Sequence, residues 1–121
     1  MPRIVVADDD PDILTLIRAT LKSLKVDVVT CGDAEEALIE IGRLAPDLII
    51  SDFMLPGISG IEFVKEVRDR ENTADTPILM VTGHTNYAME GRAIAAGANR
   101  FLYKPFSPSQ LRIAVQQLLI P

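Results

Sequence analysis

The sequence predicts an α/β fold, a doubly wound five-stranded parallel sheet with helices on both faces. Three observations predict it. Short apolar segments recur along the chain, each of strand length. Between them lie stretches whose apolar residues return at helical spacing. The chain has 121 residues, enough for one core and too few for two, so residues 1–121 read as a single domain. Strands alternating with helices imply parallel pairing and right-handed crossovers.

The elements follow in order. Ile4-Val5-Val6-Ala7 is a continuous apolar run, the mark of a buried parallel strand. Ile13, Leu14, Ile17, Leu21 and Leu24 then recur at helical spacing. Val26 to Cys31 reads as a second strand. Asp33 with Glu36 is a helix start, and Ala37, Leu38, Ile41 and Leu44 are expected on that helix's buried face. Leu48-Ile49-Ile50 forms a third strand that enters after Pro46 and leaves at Asp52. The segment Leu55-Pro56-Gly57-Ile58-Ser59-Gly60 is loop chemistry, followed by a helix with Phe63, Val64 and Val67 on one face. Pro77 opens a fourth strand, Ile78 to Val81. Residues 86 to 96 form a weaker helix with Gly91 inside it, at a cost of about 1 kcal/mol relative to Ala, and Gly97 as its stop. Arg100 to Tyr103 is a short fifth strand, and a last helix starts near Ser107-Pro108 with Leu111, Ala114, Val115 and Leu118 inward.

Composition narrows the function. The net charge is −5 with no Lys/Arg cluster, which argues against a direct nucleic-acid partner. No apolar run reaches the roughly 18 residues of a membrane span, and the N-terminus does not resemble a signal peptide, so a cytoplasmic location is expected. Cys31 is the only cysteine, which excludes an internal disulfide.

Parallel sheets bind ligands at the carboxyl ends of their strands. The first strand ends in Asp8-Asp9-Asp10, the third in Asp52, the fourth in Thr82-Gly83-His84 and the fifth in Tyr103-Lys104-Pro105. One pocket therefore collects several carboxylates, a hydroxyl and an ammonium. Taken singly, each residue has a structural reading as a turn residue, a helix cap or a solvated lysine. Their placement on successive strand ends is what points to chemistry. Crowded carboxylates repel, by about 4 kcal/mol per pair at 4 Å and an effective dielectric near 20, so either some take up protons or cations compensate, Lys104 supplying one positive charge. All-oxygen donors suit a hard divalent ion, with Mg2+ first and Mn2+ as a substitute. A free carboxylate beside such an ion fits phosphoryl transfer, with Asp52 as nucleophile and with Mg2+, Lys104 and the Thr82 hydroxyl around the phosphate oxygens. No Gly-rich nucleotide loop is present, so the phosphoryl group would come from outside.

At this point the sequence resembles the receiver domains of two-component response regulators. The likeness runs through Val5-Val6-Ala7-Asp8-Asp9-Asp10-Pro11-Asp12, Pro46-Asp47-Leu48-Ile49-Ile50-Ser51-Asp52, Met54-Leu55-Pro56-Gly57, Val81-Thr82-Gly83 and Tyr103-Lys104-Pro105-Phe106, and so covers the whole chain. It implies a flavodoxin-like fold with strand order 2-1-3-4-5. It implies that Asp8 and Asp9 hold Mg2+, that Asp52 is the phosphoacceptor and a metal ligand, and that the Met54 backbone carbonyl completes the metal shell. Thr82 would be the switch hydroxyl, Lys104 the phosphate-binding lysine and Phe101 the switch aromatic. The Lys104–Pro105 bond would be cis, against a rate of roughly 5–6% for X–Pro bonds. Such a protein is a phosphorelay switch rather than an enzyme, with only self-phosphorylation and self-dephosphorylation chemistry. Its partners would be a histidine kinase or histidine phosphotransfer protein, and a downstream protein or output domain at the surface of the fourth helix, fifth strand and last helix. A phosphorylation-dependent homodimer would use the same surface.

Some positions depart from the commonest pattern. Ser59 stands where an acid often precedes Gly60, and Ser51 is polar in an apolar strand. Met54 and His84 flank the expected phosphate and are candidates for tuning its lifetime. Two other readings stay open. Asp8-x-Asp10 after a first strand also occurs in aspartate-nucleophile phosphohydrolases of the haloacid-dehalogenase type, which would use Asp8 and need acids where Thr82-Gly83-His84 stands. A receiver-like interaction module without phosphorylation is the other. The sequence does not name the kinase, the pathway or the oligomeric state.

Overall fold

A computed structural model describes residues 1–83 and 86–120. The strands are β1 (Arg3–Ala7), β2 (Asp27–Cys31), β3 (Leu48–Asp52), β4 (Ile78–Thr82) and β5 (Arg100–Tyr103). The helices are α1 (Pro11–Leu21), α2 (Ala34–Arg43), α3 (Gly60–Asp69), α4 (Tyr87–Ala96) and α5 (Pro108–Leu119). All strand pairs are parallel, in the order β2-β1-β3-β4-β5 that the resemblance implies.

Strand periodicity sorts the core into two layers. Val5, Ala7, Ile49, Ile78 and Met80 face α2, α3 and α4, where they meet Ala37, Ile41, Phe63, Val64, Val67 and Ala93. Ile4, Val6, Leu48, Ile50, Leu79 and Val81 face α1 and α5, against Ile17, Leu21, Leu111, Ala114 and Val115. Side-chain caps start every helix. Asp10, Asp33, Ser59, Asn86 and Ser107 each accept from an amide of the first turn, and each such cap contributes about 1 kcal/mol. Asp10, Pro11 and Asp12 thus begin α1, while Asp8 and Asp9 remain ahead of it.

The structure corrects several boundaries. The first helix stops at Leu21, and Lys22–Leu24 tightens into a 3₁₀ turn that ends at Lys25 in the left-handed region (φ 55°). Leu24 therefore packs from a turn, although its spacing reads as helix. The second strand begins at Asp27 rather than Val26. Leu44 lies past the end of α2 and is 60% exposed, so it does not belong to the buried face. The carbonyl end of α2 is closed instead by Arg3, whose Nε and Nη2 donate to Leu44 O and Glu40 O at 3.0 Å. Helix α4 buries only Ala93 fully, the thinnest anchorage of the five helices.

Candidate functional site

The sheet register builds the site. Ala7 pairs with Ser51, so Asp8 leaves β1 beside Asp52 at the end of β3. Asp52 pairs with Val81, which puts Thr82 next to it, and Thr82 pairs with Tyr103 just before Lys104. The Lys104 amide donates to Thr82 O at 2.8 Å, and the Lys104–Pro105 peptide is cis. Phe106 behind it is buried in the α1/α5 core, which anchors the turn that carries the lysine.

Asp8 and Asp52 are buried and Asp9 is exposed. One carboxylate oxygen from each lies within 4.8 Å of the others. Lys104 Nζ donates to Asp8 Oδ2 at 2.9 Å and to Asp52 Oδ2 at 3.1 Å. The second oxygens are held by backbone: Asp10 N donates to Asp8 Oδ1 at 2.9 Å, and Met54 N to Asp52 Oδ1 at 3.1 Å. Of the Met54 backbone it is thus the amide that contacts Asp52. The Met54 side chain is 60% exposed, and an isolated bridge to Ser59 steadies the loop.

Burial pushes the Asp8 carboxyl above its ordinary range, and the nearby Asp52 charge adds to that push. The Asp10 amide and Lys104 oppose it without cancelling it. At Lys104 burial works against the charge, yet the hydrogen bonds to Asp8 and Asp52 carry its pKa upward. Three carboxylates against one ammonium leave a site short of positive charge. Clustered hard oxygen donors with a partly open rim fit a small divalent cation such as Mg2+, which keeps several waters when bound.

Thr82 is 2% exposed at the end of β4. A groove of about 720 Å³ runs from it toward β5, lined by Phe53, Met54, Thr82, Met89, Glu90 and Phe101. Phe101 is half-buried, its ring centroid 6.0 Å from that of Phe53 at a tilt of 51°. The Tyr103 hydroxyl donates to Glu90 and so ties β5 to the first turns of α4. The sequence reading missed Phe53 and the Tyr103–Glu90 link. Phe53 follows Asp52 directly, and strand alternation already pointed it to the face Phe101 shares. The expectation for His84 lies outside the described residues.

Among the described residues, no helix is long and apolar enough to cross a membrane. Comparison with known proteins adds the following. The family model described as the response regulator receiver domain matches residues 4–116. The chain is 36% identical to the phosphate regulon transcriptional regulatory protein PhoB of Rhizobium meliloti, over 98% of this chain and 52% of that protein. It is 37% identical to the alkaline phosphatase synthesis transcriptional regulatory protein PhoP of Bacillus subtilis, over 97% of this chain and 48% of that protein. The chain thus spans about half the length of the curated relatives it matches. Among solved structures it is similar to the chemotaxis response regulator CheY4 of Vibrio cholerae, with a TM-score of 0.93, 36% identity, and coverage of 98% of this chain and 99% of that one. The sheet order, the acidic trio on the strand ends and the match across nearly all of the chain converge: this protein belongs to the receiver domains of two-component response regulators.

Proposed function

We propose that Asp52 accepts a phosphoryl group from a histidine kinase or histidine phosphotransfer protein, with Mg2+ held by Asp8, Asp9 and Asp52. The observation that carries this reading is Lys104 bridging Asp8 and Asp52, with Asp9 alongside, at the carboxyl ends of the strands. A carboxylate oxygen of Asp52 attacks phosphorus, and the bond from phosphorus to the donor's histidine nitrogen breaks. Mg2+ supplies charge neutralisation for the phosphoryl oxygens when bound, and Mn2+ serves in its place. Lys104 is placed to accompany those oxygens, and the Met54 carbonyl is assigned to the metal shell. Asp8 is assigned to the metal shell and Asp52 to the attack, as the resemblance implies, since backbone amides and Lys104 hold the oxygens of both carboxylates alike.

Phosphate on Asp52 then draws the Thr82 hydroxyl toward it and lets Phe101 turn further into the groove between them. A ligand shifts a conformational equilibrium only by binding one state better, and here the new contact to Thr82 supplies that difference. The α4-β5-α5 surface is the expected readout, for a downstream protein, an output domain or a second phosphorylated copy. The thin anchorage of α4 supports its part in the change. Location in the cytoplasm, where such kinases present their phosphohistidine, completes the reading.

Intact-mass spectrometry after incubation with acetyl phosphate and Mg2+ tests the proposal. One phosphoryl group should add to wild type, and none to Asp52→Asn or without Mg2+. Equal labelling of the variant would remove Asp52 as acceptor. If neither protein were labelled by acetyl phosphate or by a kinase, the interaction module would be the better reading.

A further inference from the structure

Helix α2 presents a second feature, remote from the acidic pocket in function. Its inner face is Ala34, Ala37 and Ile41. Its outer face carries Glu35, Ile39, Gly42 and Arg43, all exposed. These lie at i, i+4, i+7 and i+8, so they form one stripe along the helix. Ile39 is 59% exposed in the middle of it, an apolar side chain where a solvated helix face would carry a polar one.

The stripe is self-complementary. Glu35 and Arg43 are equally far from Ile39 along the helix, on opposite sides. An antiparallel copy centred on Ile39 sets Glu35 of each chain against Arg43 of the other, and Ile39 against itself. Gly42 faces the Glu36 level of the other copy, and the Arg70 guanidinium lies against it, Nη1 3.3 Å from where a Cβ would stand. Beside the helix runs a groove of about 810 Å³ between α2 and the loop after β3, walled by Leu38, Ile39, Pro56 and Ile58. Such a recess accepts the side-chain ridge of a packed helix. Leu44, also exposed, extends the apolar area at the end of α2.

We propose that α2 is a self-association surface on which a second copy of this chain packs antiparallel, across a two-fold axis through Ile39. A two-fold interface uses the same patch on both partners, and that patch must carry both signs of charge in mirrored order. The Glu35, Ile39, Arg43 series has that order. The net charge of −5 on each copy opposes association, and the crossed pairs are the local means of overcoming it. Arg43 now pairs with Glu40 at 3.1 Å, but its side chain is 69% exposed and exchanges readily. The patch is small for a stable interface, so the dimer is weak and concentration-dependent.

Sedimentation velocity of the whole unphosphorylated chain, without Mg2+ or phosphodonor, tests this separately from the proposed phosphorylation. Wild type should show a reversible dimer with a dissociation constant on the order of 10–300 µM. Ile39→Asp and Glu35→Arg should each weaken it by about tenfold or more. Glu35→Arg combined with Arg43→Glu should restore it to within about threefold, because the crossed pairs reform with their signs exchanged. A wild type that stays monomeric up to about 1 mM would overturn the proposal. So would a dimer indifferent to Ile39→Asp, or a double variant no better than Glu35→Arg alone.

Discussion

Lys104 Nζ lies 2.9 Å from Asp8 Oδ2, joining residues 96 apart in sequence across the carboxyl edge of the sheet. The Asp8 side chain is 2% exposed and that of Lys104 is 21% exposed. The lysine is therefore the main counter-charge for a carboxylate cut off from water. It also reaches Asp52, so β1, β3 and the turn after β5 meet at one ammonium. The same contact that offsets part of the site's negative charge places the ammonium beside the proposed acceptor.

Replacing Lys104 with Met should cost about 1–3 kcal/mol of stability without Mg2+, since it leaves buried carboxylates unpaired. Part of that loss should return when Mg2+ is added, because the ion supplies the missing charge. Thermal unfolding of wild type and Lys104→Met, each with and without Mg2+, measures the difference. An equal penalty in both conditions would mean that Lys104 contributes packing and not charge.

Met54, whose own amide holds Asp52 Oδ1, lines the groove beside Thr82 and is 60% exposed. An apolar, exposed side chain there is placed to keep water from an acyl phosphate on Asp52. Met54→Asn should speed self-dephosphorylation by about tenfold while leaving stability within about 0.5 kcal/mol. The decay of the phosphorylated protein after removal of acetyl phosphate reads this out. An unchanged decay rate would end the shielding role.

Much of the fold and of the site was legible because both follow from the strand ends. Uninterrupted apolar runs located β1, β3 and β4, and reading on past each run named Asp8, Asp52 and Thr82. Other features hide from such reading. Leu24 keeps helical spacing while the backbone tightens into a 3₁₀ turn, since apolar pattern reports burial and not hydrogen-bond register. Arg3 is 8% exposed, although arginine reads as surface, because carbonyls at the end of α2 supply its partners. The Phe53–Phe101 contact joins β3 to β5 across β4, a proximity no local pattern encodes.

Gly60 and Gly91 should respond in opposite directions to a methyl group. A Cβ on Gly60 would stand 2.6 Å from Phe53 O and 2.9 Å from Phe53 Cδ1, next to Asp52. Gly60→Ala should therefore destabilise by about 1–3 kcal/mol. It should also slow phosphorylation, because Phe53 must shift. A Cβ on Gly91 meets nothing within 4 Å, so Gly91→Ala should stabilise α4 by about 0.5–1 kcal/mol. Urea unfolding of the two variants decides both signs.

Alkaline pH should weaken the fold through Cys31. Its thiol is 1% exposed, and burial first, then the charges of Glu36 and Glu40, pushes its pKa from 9.0 to about 12. Between those values the unfolded chain has released this proton while the folded chain keeps it. The native state then binds more protons than the unfolded one, so stability falls as pH rises. The slope from this one group is at most about 1.4 kcal/mol per pH unit. Lys104 and Tyr103, whose pKa values are also raised, act in the same sense from about their own ordinary values upward. The urea midpoint of wild type should hold steady near neutrality and decline above about pH 9. In Cys31→Ala the decline should begin about one unit later, where Tyr103 and Lys104 take over. Coincident pH profiles, after correcting for any uniform loss from the smaller side chain, would show that the thiol contributes nothing to alkaline unfolding.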